Sequence, residues 1–267
     1  MAKRKIIDAH HHLWDLDHGY AYPWLQDKPA GEGMLGDLSS IARTHLPADY
    51  FADAANYDVV KTVHIEAVPI DPLAETRWLS ALGDRIPNGL VGFAALNDPT
   101  VEKRLAEQAA FPAIRGVRQI VNWHKDPRFS FTPSDLLADS AWQAGYGLLK
   151  KYRLSFDLQL YPGQMAEAYD LARRHPETLI VINHAGMPID RDAENLALWR
   201  QGMQKLATAD NVVAKISGLG MVEHDWSTDS IRPFVLGTID AFGSERCMFG
   251  SNWPVDKLYS SFDTLYM

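Results

Sequence analysis

"RLSFDLQLYPGQMAEAYDLARRHPETLIVIN", residues 153–183, reads as a strand, a helix and a second strand. Residues 153–161 alternate polar and apolar side chains, the two-residue period of a strand. Pro162 opens an amphipathic helical stretch and Pro176 stops it, because proline suits a first turn and cannot continue a helix. The apolar run "TLIVIN" at 178–183 reads as a buried strand. Two strands joined through a helix pair in parallel, with the helix packed on the outside of the sheet.

The same unit repeats in both directions. Strand candidates lie at 4–9, 59–67, 89–96, 113–121, 153–161, 178–183, 211–217 and 245–251. Helix candidates lie between them at 46–57, 72–83, 99–110, 134–152, 162–176, 193–208 and 229–243. Ser134 is the expected N-cap of the fourth helix. The last helix is read with Pro233 in its first turn and Gly243 at its end. Eight strand–helix units predict a closed (β/α)8 barrel, the TIM barrel, as one domain over 1–267. Residues 16–45 form a long loop rich in Gly, Pro and aromatics, placed as a lid over the barrel mouth. Only "NWPVDKLYSSFDTLYM" follows the last strand. The expectation is a short or truncated C-terminal helix, or a second subunit covering the gap in a homo-oligomer.

Among the 267 residues, 34 Asp and Glu outnumber 26 Lys and Arg, for a formal net charge of -8. That excludes nucleic acid or an anionic membrane as the main partner. It leaves room for a small anionic ligand, which one local Arg or Lys can hold. Cys247 is the only cysteine, so no internal disulfide forms, in keeping with a reducing compartment. No window reaches the roughly 18 apolar residues of a membrane span, and no signal-peptide core follows the basic start. These features together lead to the expectation of a cytoplasmic protein.

Barrel active sites lie at the C-terminal strand ends, on inward-facing positions. After the first strand, "HHH" at 10–12 splits by parity, with His10 and His12 on one face and His11 on the other. Thr62, His64 and Glu66 share a face of the second strand, and Asp157, Gln159 and Tyr161 share a face of the fifth. Ile180 and Ile182 lead to His184 on the sixth, Lys215 pairs with Ser217 on the seventh, and Met248 leads through Gly250 to Asn252 on the eighth. Arg115 and Arg118 have opposite parity, and Arg118, nearer the strand end, is the inward candidate. Polar side chains thus gather on one parity at several strand ends, which predicts a pocket.

"DAHHHLWD" (8–15), "RGVRQ" (115–119), "INHAGMP" (182–188) and "MFGSNWPVD" (248–256) occur in the order and spacing of one family. Across nearly its whole length the chain resembles the amidohydrolase-related TIM-barrel lactonases. The resemblance implies a distorted barrel and a hydrolase acting on lactones of sugars or of aromatic catabolism. It places His10, His12 and His184 in the histidine positions of the site and Arg118 where substrate carboxylate or hydroxyl groups bind. Asn252 stands where many members carry Asp as metal ligand or general base. Asn is neutral and cannot take that proton.

Lactone hydrolysis needs an activated water, a polarised carbonyl and a proton for the leaving alkoxide. His10, His12 and His184 can hold Zn²⁺ or Mn²⁺ with a position open for water. The same histidines can act without metal, with Arg118 and Lys215 facing the oxyanion, and the sequence leaves both routes open. Glu66 is favoured as general base over His64 and His124, with Asp256 as a substitute carboxylate. His64, Tyr161, Lys215 and Trp253 are further substrate-binding candidates, and Trp24 and Trp123 could stack on a ring. The expected activity is opening of a small polar lactone, neutral or anionic. The alternatives are a metal-dependent decarboxylase of the same fold and an inactive barrel that only binds a ligand.

Overall fold

The computed structural model describes residues 2–27, 33–83 and 85–266. In chain order the elements begin with β1 (Arg4–His11), α1 (Pro23–Gln26), α2 (Pro47–Asp53), β2 (Tyr57–Ile65), α3 (Pro72–Ala81) and β3 (Gly89–Phe93). Next come α4 (Val101–Ala109), β4 (Ile114–Arg118), α5 (Ser140–Tyr146), α6 (Leu149–Tyr152), β5 (Ser155–Leu158) and α7 (Met165–Arg174). The series ends with β6 (Ile180–Ile182), α8 (Ala193–Ala207), β7 (Val212–Ile216), α9 (Thr228–Phe242), β8 (Cys247–Phe249) and α10 (Phe262–Tyr266).

The eight strands form one sheet in sequence order, every neighbouring pair parallel. Closure comes just beyond β8. Asn252 N–H donates to the His10 carbonyl at 2.7 Å, and His12 N–H donates to the Trp253 carbonyl at 2.7 Å. The barrel predicted from the strand–helix repeat is therefore present, nearly closed, with its seam tied by the residues that flank the histidines.

The core lies between barrel and helices. Leu90, Val117, Phe156, Leu158, Ile180, Ile182 and Ala214 point outward and pack with Leu105, Trp142, Leu171 and Trp199 from the helices. Burying a large apolar side chain of this kind is worth about 1.5–3 kcal/mol. The opposite parity points into the barrel. Arg118 and Asp157 are register partners there, and the Lys215 amine meets the Asp157 carboxylate at 2.5 Å.

Local chemistry corrects three details. The stretch 134–152 is a short 3₁₀ turn followed by α5 and α6, because Asp139 accepts from the Ala141 and Trp142 N–H groups and starts a new helix there. Ser134 caps nothing in this segment. Pro233 lies in the interior of α9, since Ser227, not a later residue, caps that helix. The lid region 16–45 contains α1, and its residues 28–32 lie outside the described residues. The short closing helix is α10, whose Phe262 packs against Tyr50, Tyr57 and Trp253. Among the described residues no helix is long and apolar enough to cross a membrane.

Candidate active site

β1 does not run straight into the site. Its pairing with β2 shifts between Ile6 and Ile7 and again between Asp8 and His11. Such irregularities re-aim side chains at barrel rims. Before the second shift Asp8 faces α2 and the seam, where Tyr50 Oη donates to it at 2.7 Å and Ser251 N–H at 2.8 Å. Within it His10, and beyond it His12, turn toward His184 and the barrel interior. The His10 ring lies 5.1 Å from His12 and 4.6 Å from His184, centroid to centroid. Gly250 makes this possible, because a Cβ there would stand 2.6 Å from His10 Cβ.

His184 follows β6 on a left-handed segment. His184, Ala185 and Met187 have φ of 53°, 51° and 44°, a conformation that costs roughly 1–2 kcal/mol for each non-glycine residue. Its Nδ1 is 2.9 Å from Ser217 Oγ at the end of β7. Gly218, with φ +60°, is needed next to it: a Cβ would come within 2.4 Å of His184 Nδ1.

The three imidazoles are neutral. Burial lowers all three pKa values well below the ordinary histidine range. Positive neighbours push the same way: His184 and Lys215 on His10, Arg118 on His12, and Arg118 and Lys215 on His184. His12 Nδ1 is 2.8 Å from the Ile65 carbonyl. A carbonyl only accepts, so Nδ1 carries the proton and Nε2 keeps a lone pair. Neither nitrogen of the buried His10 ring has a hydrogen-bond partner among the described residues.

A cavity of about 480 Å³ opens above these side chains. Strand-end residues His12, Glu66, Arg118, Gln159, His184 and Asn252 line it, together with loop residues Trp24, Leu35, Leu38, Phe131, Met187, Met221 and Val255. Arg118 is buried and already engaged. Its Nε donates to Glu66 Oε1 at 2.6 Å, Nη2 to the Glu66 carbonyl, and Nη1 to Gln159 Oε1 at 3.1 Å. Glu66 Oε2 accepts from the Val68 N–H at 2.7 Å, so both carboxylate oxygens are in use.

The structure therefore gathers His12, His184, Glu66, Arg118 and Asn252 around one space, packs the fully buried His10 against His12 and His184, and separates the other candidates from it. Parity placed Thr62, His64 and Glu66 on one inward face. Instead Thr62 and His64 face His11: His11 Nε2 is 2.9 Å from Thr62 Oγ1, and the two imidazole rings lie 5.6 Å apart. Only Glu66 reaches the cavity, because β2 ends at Ile65 and the chain turns there. Trp253 is buried in the outer core and donates from Nε1 to Asp53 Oδ2 at 2.9 Å. Tyr161 is buried, with Oη donating to the Phe129 carbonyl at 2.6 Å. Lys215 is bound to Asp157 beneath the histidines, and burial lowers its pKa. His124 packs on Phe129 away from the cavity lining, with Nδ1 accepting from the Asp126 N–H. Trp123 is more than a third exposed. Asp256 lies behind Asn252, and burial raises its carboxyl to about 7. Sequence reasoning missed Phe93, although register pairs it with Arg118 at a strand end. It also missed the loop residues Met187 and Met221, which no periodicity marks.

The donors for a metal would be His10, His12 and His184. Their chemistry suits one: neutral rings, with a backbone carbonyl fixing the tautomer of His12. Their spacing does not. Among the described residues no three His, Cys, Asp or Glu side chains converge so as to hold one ion. The residues do not fit a three-ligand metal site in this arrangement.

Residues 7–267 match the family model described as Amidohydrolase. The chain is 43% identical to an uncharacterized protein of Sinorhizobium fredii, across all of this chain and 90% of that one. It is 31% identical to an L-fucono-1,5-lactonase of Burkholderia multivorans, over 96% of this chain and 84% of the relative. A crystal structure of a Burkholderia multivorans amidohydrolase with bound zinc superposes with a TM-score of 0.79 at 26% identity, covering 99% of this chain and 89% of that one.

Proposed function

The chain belongs to the amidohydrolase family, and from that premise we propose that it opens small, neutral, hydroxyl-bearing lactones by water attack. The observation that carries the reading is the His12 ring. It lines the cavity, is neutral, and has its Nδ1 proton committed to the Ile65 carbonyl, so Nε2 is a base aimed at the cavity. Similarity to a fuconolactonase supports the reaction class.

Charge pairing supports a neutral substrate. Arg118 is the single cation among the described cavity-lining residues, and Glu66 already neutralises it at 2.6 Å. The histidines add no charge. A carboxylated lactone would have to compete with Glu66 for Arg118, whereas hydroxyl groups can use Gln159 and the remaining N–H groups of Arg118.

In the reaction, His12 Nε2 takes a proton as the water oxygen bonds to the lactone carbonyl carbon. An unused guanidinium N–H of Arg118 stabilises the oxyanion. The ring C–O bond then breaks, and the His12 imidazolium returns its proton to the leaving alkoxide, giving the hydroxy acid. Glu66, which binds Arg118 and the Val68 N–H, is assigned to holding Arg118 in place and His12 to the base role. No step is routed through a metal.

The test is a panel of neutral sugar lactones and carboxylated lactones, followed by acid release. Turnover of the neutral class is expected. Preference for a carboxylated lactone would overturn the charge argument, and no turnover of any member would overturn the hydrolase reading.

A further inference from the structure

Asn252 and Asp256 form a buried pair just past β8. Asn252 Nδ2 donates to Asp256 Oδ1 at 2.8 Å, and the Asp256 N–H donates back to the Asn252 carbonyl at 3.1 Å. Both residues are at most 3% exposed. The Asn252 backbone is held by its own N–H bond to the His10 carbonyl and by a left-handed φ of 52°. Only the side-chain torsions are left to be set.

A primary amide has a donor end and an acceptor end of nearly equal shape, so its neighbours decide which way it points. Asp256 Oδ1 takes the amide N–H in this structure, and a carboxylate, the form Asp256 adopts above about pH 7, can only accept. With Asp256 behind it, the amide nitrogen must turn away from the cavity and the amide oxygen toward it. We infer that Asp256 is a positioning residue that turns Asn252 Oδ1 into the cavity, where that oxygen accepts a hydrogen bond from the attacking water.

The inference rests on the lactonase reading for the identity of that water, but not for the orientation of the amide. Water has two protons. One goes to His12 Nε2, and the second is held by Asn252 Oδ1, which aims the oxygen lone pair at the carbonyl carbon. The residue type at 252 follows from the pair. A carboxylate there would face Asp256 at hydrogen-bond distance, and one of the two would have to take up a proton.

Two measurements test it. The first is kinetic, on a lactone the wild-type protein turns over. Asp256→Asn is expected to lower kcat on the order of 10- to 100-fold, with KM changed by less than about threefold, as for a group felt mainly in the transition state. The double variant Asn252→Asp/Asp256→Asn restores donor to acceptor with reversed polarity. It is expected to recover most of the lost kcat and to gain an acid limb in its pH profile from the carboxylate at 252. Wild-type kcat in Asp256→Asn, or a folded double variant no faster than the single one, would overturn the role.

The second is independent of activity. In wild-type protein labelled with 15N-asparagine, the Asn252 amide is the resonance pair missing from Asn252→Asp. One of its protons is expected far downfield and slow to exchange with water. Shifts and exchange typical of a solvent-exposed amide would overturn the orientation, even if no lactone is opened.

Discussion

Two buried histidine clusters share the "HHH" tripeptide. His10, His12 and His184 form the inner one, and His11, His45 and His64 the outer one beside α2. Both are desolvated and neutral, and both hold ring nitrogens without partners: His10 in one, His11 Nδ1, His45 Nε2 and His64 Nδ1 in the other. The difference is access. His12 and His184 line the cavity, whereas His11 packs on Thr62, Tyr50 and His64, His45 packs on Trp14, and His64 lies against both His11 and His12 without reaching the cavity lining. Burial and a shifted pKa therefore do not mark a catalytic histidine; a free nitrogen facing an open space does.

The largest contrast is expected from single substitutions. His12→Ala removes the proposed base and should lower kcat on the order of 10²- to 10⁴-fold. His11→Ala should leave kcat within a few-fold and cost stability, on the order of 1–3 kcal/mol by denaturant titration. Comparable kcat losses in the two variants would erase the distinction between the clusters.

Acid should expose what the clusters have in common. Burial holds His45 at about 4 and His64 at about 3, against about 6.5 in an unfolded chain. Above pH 6.5 both states are neutral at these sites and stability is complete. Between about 6.5 and 4 the unfolded chain binds protons that the folded chain refuses. Stability then falls with pH, by up to about 1.4 kcal/mol per unit for each such group. The melting temperature should drop steadily from about pH 6.5 to 4.5, and less steeply in His64→Gln. A flat wild-type profile would contradict the neutral state assigned to these rings.

The smallest expected effect concerns metal. If the inner rings lack convergence because Asn252 supplies no carboxylate, Asn252→Asp should raise the zinc found per chain by elemental analysis, while chelation leaves wild-type turnover within about twofold. Equal zinc content in both proteins would sink that link.

The legible parts of the molecule were those governed by period. Eight strands and the helices between them follow from alternating and amphipathic patterns, because the barrel buries one strand parity against helices all the way round. The split of His10 and His12 from His11 was legible for the same reason. Parity failed on β2, where it grouped His64 with Glu66; the strand stops at Ile65 and the turn sends Glu66 alone into the cavity. Trp253 was a substrate candidate for its ring alone; its parity is opposite to that of Asn252, and its indole turns outward to Asp53 and the Phe262 ring. The stretch 134–152 misled because Asp139 caps a new helix in its middle, a local hydrogen bond that periodicity does not register.

By itself the sequence determined the strand–helix repeat, the family motifs and the substitution of Asn for Asp at 252, since these depend on residue types and spacing along one chain. The tertiary structure alone decided which nitrogens are free. His12 gets its tautomer from Ile65, Glu66 is occupied by Arg118 and Val68, and Asn252 is oriented by Asp256. Ile65 and Arg118 come from other strands, and Val68 and Asp256 reach their partners through local turns; a hydrogen bond depends on distance and direction in space, which spacing along the chain does not encode.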